Sequence, residues 1–169
     1  MKFRFNSLKS SDIDIMGGVT RNEGPTLAPD EAEHLKGEEE FKLLINGFPE
    51  LDSEKISEFY LKGVDTNSTE ALKKAFWDFF GDIHIACPTF HFVKAFSEYT
   101  PKRKAFFFYW TYLSVEMGRL QGCREDMGVC HGAENGYVFG KPLLLNLDLT
   151  DRQFSEQMMK IWTNFAKNG

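Results

Sequence analysis

The chain has 169 residues, a net charge of −5 and 17 phenylalanines among its 42% apolar residues. The acidic balance argues against a nucleic-acid phosphate partner, and an aromatic content of 15% is more apolar bulk than a disordered chain carries. No apolar run approaches the roughly 20 residues that a membrane helix needs, and the opening MKFRFNSLKSSD lacks the apolar core of a secretory signal.

The length fits one domain. Residues 12–19 read as a buried strand, and residues 24–37, with Pro25, Pro29 and Gly37, as a surface loop. Glu38-Glu39-Glu40 suits the positive end of a helix over 38–46, which Gly47-Phe48-Pro49 stops. A second helix is expected over 53–62. A third spans 69–80, with Ala71, Leu72, Ala75, Phe76, Phe79 and Phe80 at helical spacing on a core stripe. Ser68 or Thr69 is its cap, and Asn67-Ser68-Thr69 is also an N-glycosylation sequon. Pro88 suits the first turn of a helix ending near Tyr99.

Residues 105–113 give the strongest strand signal, continuous and aromatic, and are expected to be buried on both faces. The turn before it, Lys102-Arg103-Lys104, is too short for a basic patch. A loop over 114–130, a short helix over 133–139 and a last helix over 150–167 follow. The last helix has Thr150 as its expected cap and an apolar stripe of Phe154, Met158, Ile161, Trp162 and Phe165. Two strands among five or six helices make a poor sheet by themselves. They predict an α/β class, as the last strands of a larger parallel sheet. Such lone strands would leave backbone edges and aromatic faces open, so the isolated chain is expected to aggregate or to fold only in part.

Chemistry concentrates in residues 127–140, MGVCHGAENGYVFG. A histidine lies between small residues, with an acid three positions later and an aromatic run closing on glycine. The segment resembles the catalytic-histidine loop of the type-B carboxylesterase and cholinesterase family. The resemblance makes His131 the general base of a serine–histidine–glutamate triad. It gives Gly132 the sharp turn and Glu134 the task of pinning the loop by hydrogen bonds. Residues 14–24, DIMGGVTRNEG, look like the family's acid motif, with Glu23 in the place of the acid. There it would accept the histidine Nδ1–H and stabilise the imidazolium. Read alone, Glu23 would be an ordinary turn carboxylate.

Further motifs keep the same register. Gly81-Asp82 with Cys87-Pro88 resembles a family helix start, residues 106–112 its aromatic strand, and Trp162 with residues 164–169 its closing helix. The similarity runs from about residue 10 to the C-terminus and implies the C-terminal segment of an α/β-hydrolase catalytic domain over residues 1–169. It leans toward cholinesterase-like members. A small ester substrate, no cofactor and an extracellular or surface-attached location are implied with it. Some members dimerise through a helix pair near this region, so a homodimer through the C-terminal helices is a further expectation.

The serine is not found. Hydrolases of this fold carry it on a G-x-S-x-G elbow ahead of the acid and base, and no serine here has glycine at both positions. The N-terminal part with the elbow is therefore expected to be absent, and the chain alone to hydrolyse nothing. The alternatives are a non-enzymatic relative of the neuroligin kind, or an inactive truncated copy. Residues 111–114 and Gly136 also depart from the pattern, the first where relatives carry a histidine–arginine pair and the second where they often carry another acid.

The three cysteines leave several options. Cys123 and Cys130 could pair with each other or remain thiols, since spacing does not fix geometry. By the resemblance, Cys87 would bond a partner beyond the chain's end and is left unpaired. Cys87, His91, Cys123, Cys130 and His131 could in principle build a mixed zinc site, but no C-x-x-C or H-x-x-x-H pair supports one, and no metal is expected. A Cys130–His131 nucleophile is disfavoured, because adjacent loop side chains diverge. His34, His84 and His91 read as surface or helix-face residues.

Overall fold

A computed structural model describes residues 13–169. The segment read for a signal, and the first residue of the expected first strand, lie outside the described residues. Strand β1 (Ile15–Thr20) pairs in parallel with β2 (Ala105–Trp110), from Ile15 opposite Ala105 to Thr20 opposite Trp110. Between them run α1 (Glu38–Ile45), α2 (Ser53–Tyr60), α3 (Thr69–Gly81) and α4 (Cys87–Tyr99). After β2 come α5 (Val115–Gln121), α6 (Asn135–Val138), α7 (Lys141–Leu144) and α8 (Leu149–Asn168). A parallel pair under long helices is the α/β arrangement that the element order predicts.

The alternation of β2 explains the layers. Phe106, Phe108 and Trp110 turn toward α8, meeting Phe165, Trp162 and Phe154. Phe107 turns the other way and meets Phe90 of α4 edge-on. Gly17 of β1 lies under Val93 of the same helix, where an added Cβ would stand 2.9 Å from Val93 Cγ2. Helices on both sides of the pair do not bury it. Phe106, Phe107 and Tyr109 remain 44%, 39% and 59% exposed, which corrects the expectation of a strand buried on both faces. The run is apolar enough for a central strand, but among the described residues only β1 pairs with it.

The main core is built by α1, α2 and α3 around Phe41, Ile45, Leu72, Phe76 and Phe79. The segment read as a surface loop contributes to it. Asp30–His34 forms a 3-10 turn that buries Ala32, and Leu35 is 2% exposed. Ser68, rather than Thr69, caps α3, accepting from the Ala71 amide. A π-helical segment, Asp82–Ala86, then joins α3 to α4. Pro88 has no N–H to return to the preceding turn, and a widened register there suits it. His84 is not bare: its ring stacks on Phe80 at 4.0 Å, and its Nδ1 lies 3.0 Å from the Phe80 carbonyl.

Two further corrections concern the C-terminal half. The 114–130 loop contains α5, with Ser114 accepting from Met117 N and Gly122 ending the helix at φ 80°. Helix α8 is capped by Asp148, which accepts from Asp151 N, so Thr150 lies inside it. Its inner face closes a second core with Trp110, Met117, Val129, Ala133 and Tyr137. Among the described residues no helix is long and apolar enough to cross a membrane.

Candidate active site

β1 ends in a turn that brings Glu23 inward. Glu23 is 6% exposed, and its Oε1 accepts the Thr20 N–H at 2.5 Å. Gly24 permits the descent: an added Cβ would sit 1.8 Å from the Trp77 carbonyl oxygen of α3. Gly81 meets the same loop from the helix side, where a Cβ would stand 2.6 Å from Gly24 N. Two glycines thus let backbone press on backbone, as a close approach requires.

Across 108 residues of chain, Glu23 Oε2 lies 2.5 Å from His131 Nδ1. A carboxylate only accepts, so this contact calls for a proton on Nδ1, and in the neutral tautomer of that kind Nε2 carries the lone pair. The His131 side chain is 43% exposed while that of Glu23 is 6% exposed. The pair is therefore a buried carboxylate holding an outward-facing imidazole.

The loop holding His131 is braced. Cys123 and Cys130 form a disulfide, with both residues nearly buried beside Trp77 and Met127. Gly132 adopts φ 79°, a region that favours glycine, and its carbonyl accepts from Asn135 N at 3.0 Å. The Glu134 Oε2 is buried with no hydrogen-bond partner among the described residues, and the Glu134 backbone carbonyl accepts from Tyr137 and Val138 to start α6. At Gly136 an added Cβ would stand 2.3 Å from Met117 Cε, so a larger residue there requires that methionine to shift. The Gly136 N–H donates to Gln121 Oε1 at 3.1 Å. Gln121 is not visible from a loop expected over 114–130; the Ser114 cap and Gly122 are the sequence signals that mark the helix carrying it.

Residues 112–114 also take a local role. Tyr112, Ser114 and Tyr137 all donate to the buried carboxylate of Asp151 on α8, at 2.9, 2.5 and 3.0 Å. Burial pushes the Tyr137 hydroxyl up to about 12. A charge cluster ties the segment after α5 to α3 and to the Asp30–His34 turn. Lys73 is 2.6 Å from Glu70 and 3.0 Å from Asp126, and Arg124 bonds Asp126 and Glu33 at 3.1 Å. Lys73 Nζ also stands 4.7 Å from the centroid of Trp77. The Arg124 guanidinium, with the Lys73 ammonium behind it, holds the Asp126 carboxyl down at about 2.

The other candidates stay apart. Cys87 is an exposed free thiol on α4, and partial desolvation against the helix together with the Asp82 charge pushes that thiol up. Asn67 is exposed just before the cap of α3, where its N–H and Nδ2 both donate to Asp65. Among the described residues no group of three or more histidine, cysteine or acidic side chains is placed to hold a metal. Glu23 also lines a pocket of about 90 Å³ with Thr20, Asn22, Trp77, Asp78 and Tyr109. Burial first, then the charge of Asp82, pushes the Asp78 carboxyl up. A pocket of this size has room for waters but not for a typical small-molecule ligand.

The carboxylesterase family profile matches residues 4–169. The chain belongs to the carboxylesterase family. It is 32% identical to a cholinesterase of Mus musculus over 95% of its own length and 28% of that protein. It is 29% identical to an acetylcholinesterase of Electrophorus electricus over 97% of its length and 32% of that protein. Acetylcholinesterase-1 of Trittame loki is 33% identical over 69% of the chain and 20% of its own length. The chain thus spans about a third or less of the curated relatives it matches. The helix-rich architecture with a two-stranded parallel sheet is a partial α/β-hydrolase fold of this family.

Proposed function

We propose that this chain is the C-terminal segment of a carboxylic-ester hydrolase domain and supplies its acid and base. The observation that carries the reading is the 2.5 Å contact between Glu23 Oε2 and His131 Nδ1, with the acid buried and the base facing outward. In this reading the nucleophilic serine and the oxyanion donors come from polypeptide outside these 169 residues, which carry no G-x-S-x-G. His131 Nε2 takes the serine proton as the oxygen attacks the ester carbonyl. The imidazolium then returns that proton to the leaving alcohol, giving an acyl-enzyme. Water repeats the sequence through the same nitrogen and releases the carboxylic acid. Glu23 keeps the proton on Nδ1 and stabilises the transient imidazolium.

The similarity to cholinesterases supports esters of the cholinesterase type as the substrate class. It also supports an extracellular or surface-attached setting, in which Asn67 would carry a glycan: it is exposed and followed by Ser68-Thr69. A homodimer through the C-terminal helices belongs to the same reading, with Met159 and Ile161 of α8 exposed. The test is the full reading frame that contains this chain, expressed and assayed on short-chain acyl esters. The reading predicts a G-x-S-x-G upstream and hydrolysis lost in His131→Ala. A frame that starts at Met1, or one with the serine replaced, removes it and leaves a binding relative or an inactive copy.

A further inference from the structure

We propose that Asn22 is a positioning residue that sets the spacing of the Glu23–His131 pair by clamping the acid loop to the base loop at two points. The inference rests on the functional reading above and deepens it. The backbone N–H of Asn22 donates to the Val129 carbonyl at 3.1 Å, and its side-chain Oδ1 accepts the Val129 N–H at 3.0 Å. One residue thereby occupies both backbone groups of Val129. The result is a single isolated parallel bridge, Asn22 to Cys130, beyond the end of the sheet. Glu23 is the next residue on one side, and His131 follows Cys130 on the other.

The surroundings are built to this clamp. Gly128 sits at φ 65°, and a Cβ there would reach within 2.4 Å of Asn22 Oδ1, so the base loop can pass over the amide only as glycine. On the far side Cys130 is tied to Cys123, which fixes the strand the clamp grips. Behind Asn22, the Arg21 N–H donates to the Trp110 carbonyl at 2.9 Å, carrying the register of β2 into the turn. The acid and base are thus held by main-chain geometry one and two residues away. Neither the exposed histidine nor its loop has another direct hydrogen bond to the acid loop among the described residues. Removal of the Oδ1 acceptor frees Val129 N–H and lets the base loop slide relative to the acid.

The test uses the full-length protein and two readouts. One is the far-downfield proton NMR signal of a histidine Nδ1–H held against a carboxylate; the other is kcat and KM separately. Asn22→Ala is expected to broaden or abolish the signal and to lower kcat roughly 10- to 100-fold, as a displacement near 1 Å does. KM is expected to change less than about twofold. Asn22→Asp keeps an acceptor for Val129 N–H and should restore both readouts. If Asn22→Ala does not fold, Asn22→Ser, too short to reach Val129, serves in its place. A variant that melts lower yet keeps the signal and kcat overturns the proposal, since the role is then only structural. Absence of the downfield signal in the unsubstituted protein overturns the pair itself, an outcome distinct from a clamp that does not matter.

Discussion

Glu23 and His131 meet at 2.5 Å although 108 residues separate them. The contact depends on two loops far apart in the chain, one ending β1 and one following the Cys123–Cys130 disulfide. Glu23→Gln keeps the shape and removes the charge. On the proposed function, in the full-length protein it is expected to lower kcat by roughly 10³- to 10⁴-fold, because an amide can hold the wrong tautomer and cannot stabilise the imidazolium. Steady-state kinetics on the purified variant check this.

The disulfide braces a short loop. Its removal in the Cys123→Ser/Cys130→Ser pair should lower stability by about 2–3 kcal/mol on the chain-entropy account. Thermal unfolding against the parent protein measures it. Cys87→Ser should leave stability near the parent value, since that thiol is free and exposed.

Gly24 is the tightest approach in the acid loop, with a Cβ position 1.8 Å from the Trp77 carbonyl. Gly24→Ala cannot be absorbed by a flexible side chain, because the obstacle is helix backbone. The expected cost is roughly 1–3 kcal/mol, together with displacement of Glu23. Gly37→Ala, where no atom lies within 4 Å, is the control for φ alone. Chemical denaturation of both variants separates crowding from backbone strain.

The Lys73–Asp126–Arg124 cluster predicts a pH effect of definite sign. The Asp126 carboxyl is held down from 3.8 to about 2, so its folded form favours the charged state more than the unfolded form does. The stability it adds is present above the unfolded value and fades as pH falls from about 4 toward about 2. The group is partly exposed, so the loss is on the order of 1 kcal/mol or less and weakens in salt. Melting temperature measured from pH 5 to about 2 should fall less steeply in Asp126→Asn than in the parent protein.

Much of the architecture was legible in the chain. The stripe of Leu72, Phe76 and Phe79 gave α3, because its spacing matches the helical period and nothing competes with it. Glu23 and His131 could be singled out only through motif resemblance, since pairing over such a distance leaves no local pattern. The misses have physical causes. α5 was hidden because its seven residues, VEMGRLQ, carry a central glycine and little periodicity. Burial of β2 was overestimated because apolar content reports what a strand can bury, not how many strands lie beside it. Asn22 could not be found from sequence at all. Its role depends on an amide oxygen meeting a backbone N–H 107 residues away.

The most direct test of the account is a double-mutant cycle on kcat in the full-length protein, with His131→Ala, Glu23→Gln and both together. Groups that act as one unit predict that the double variant loses no more than His131→Ala alone. Hydrolysis that survives His131→Ala at the parent rate, or losses that multiply independently, would contradict the pairing of acid and base.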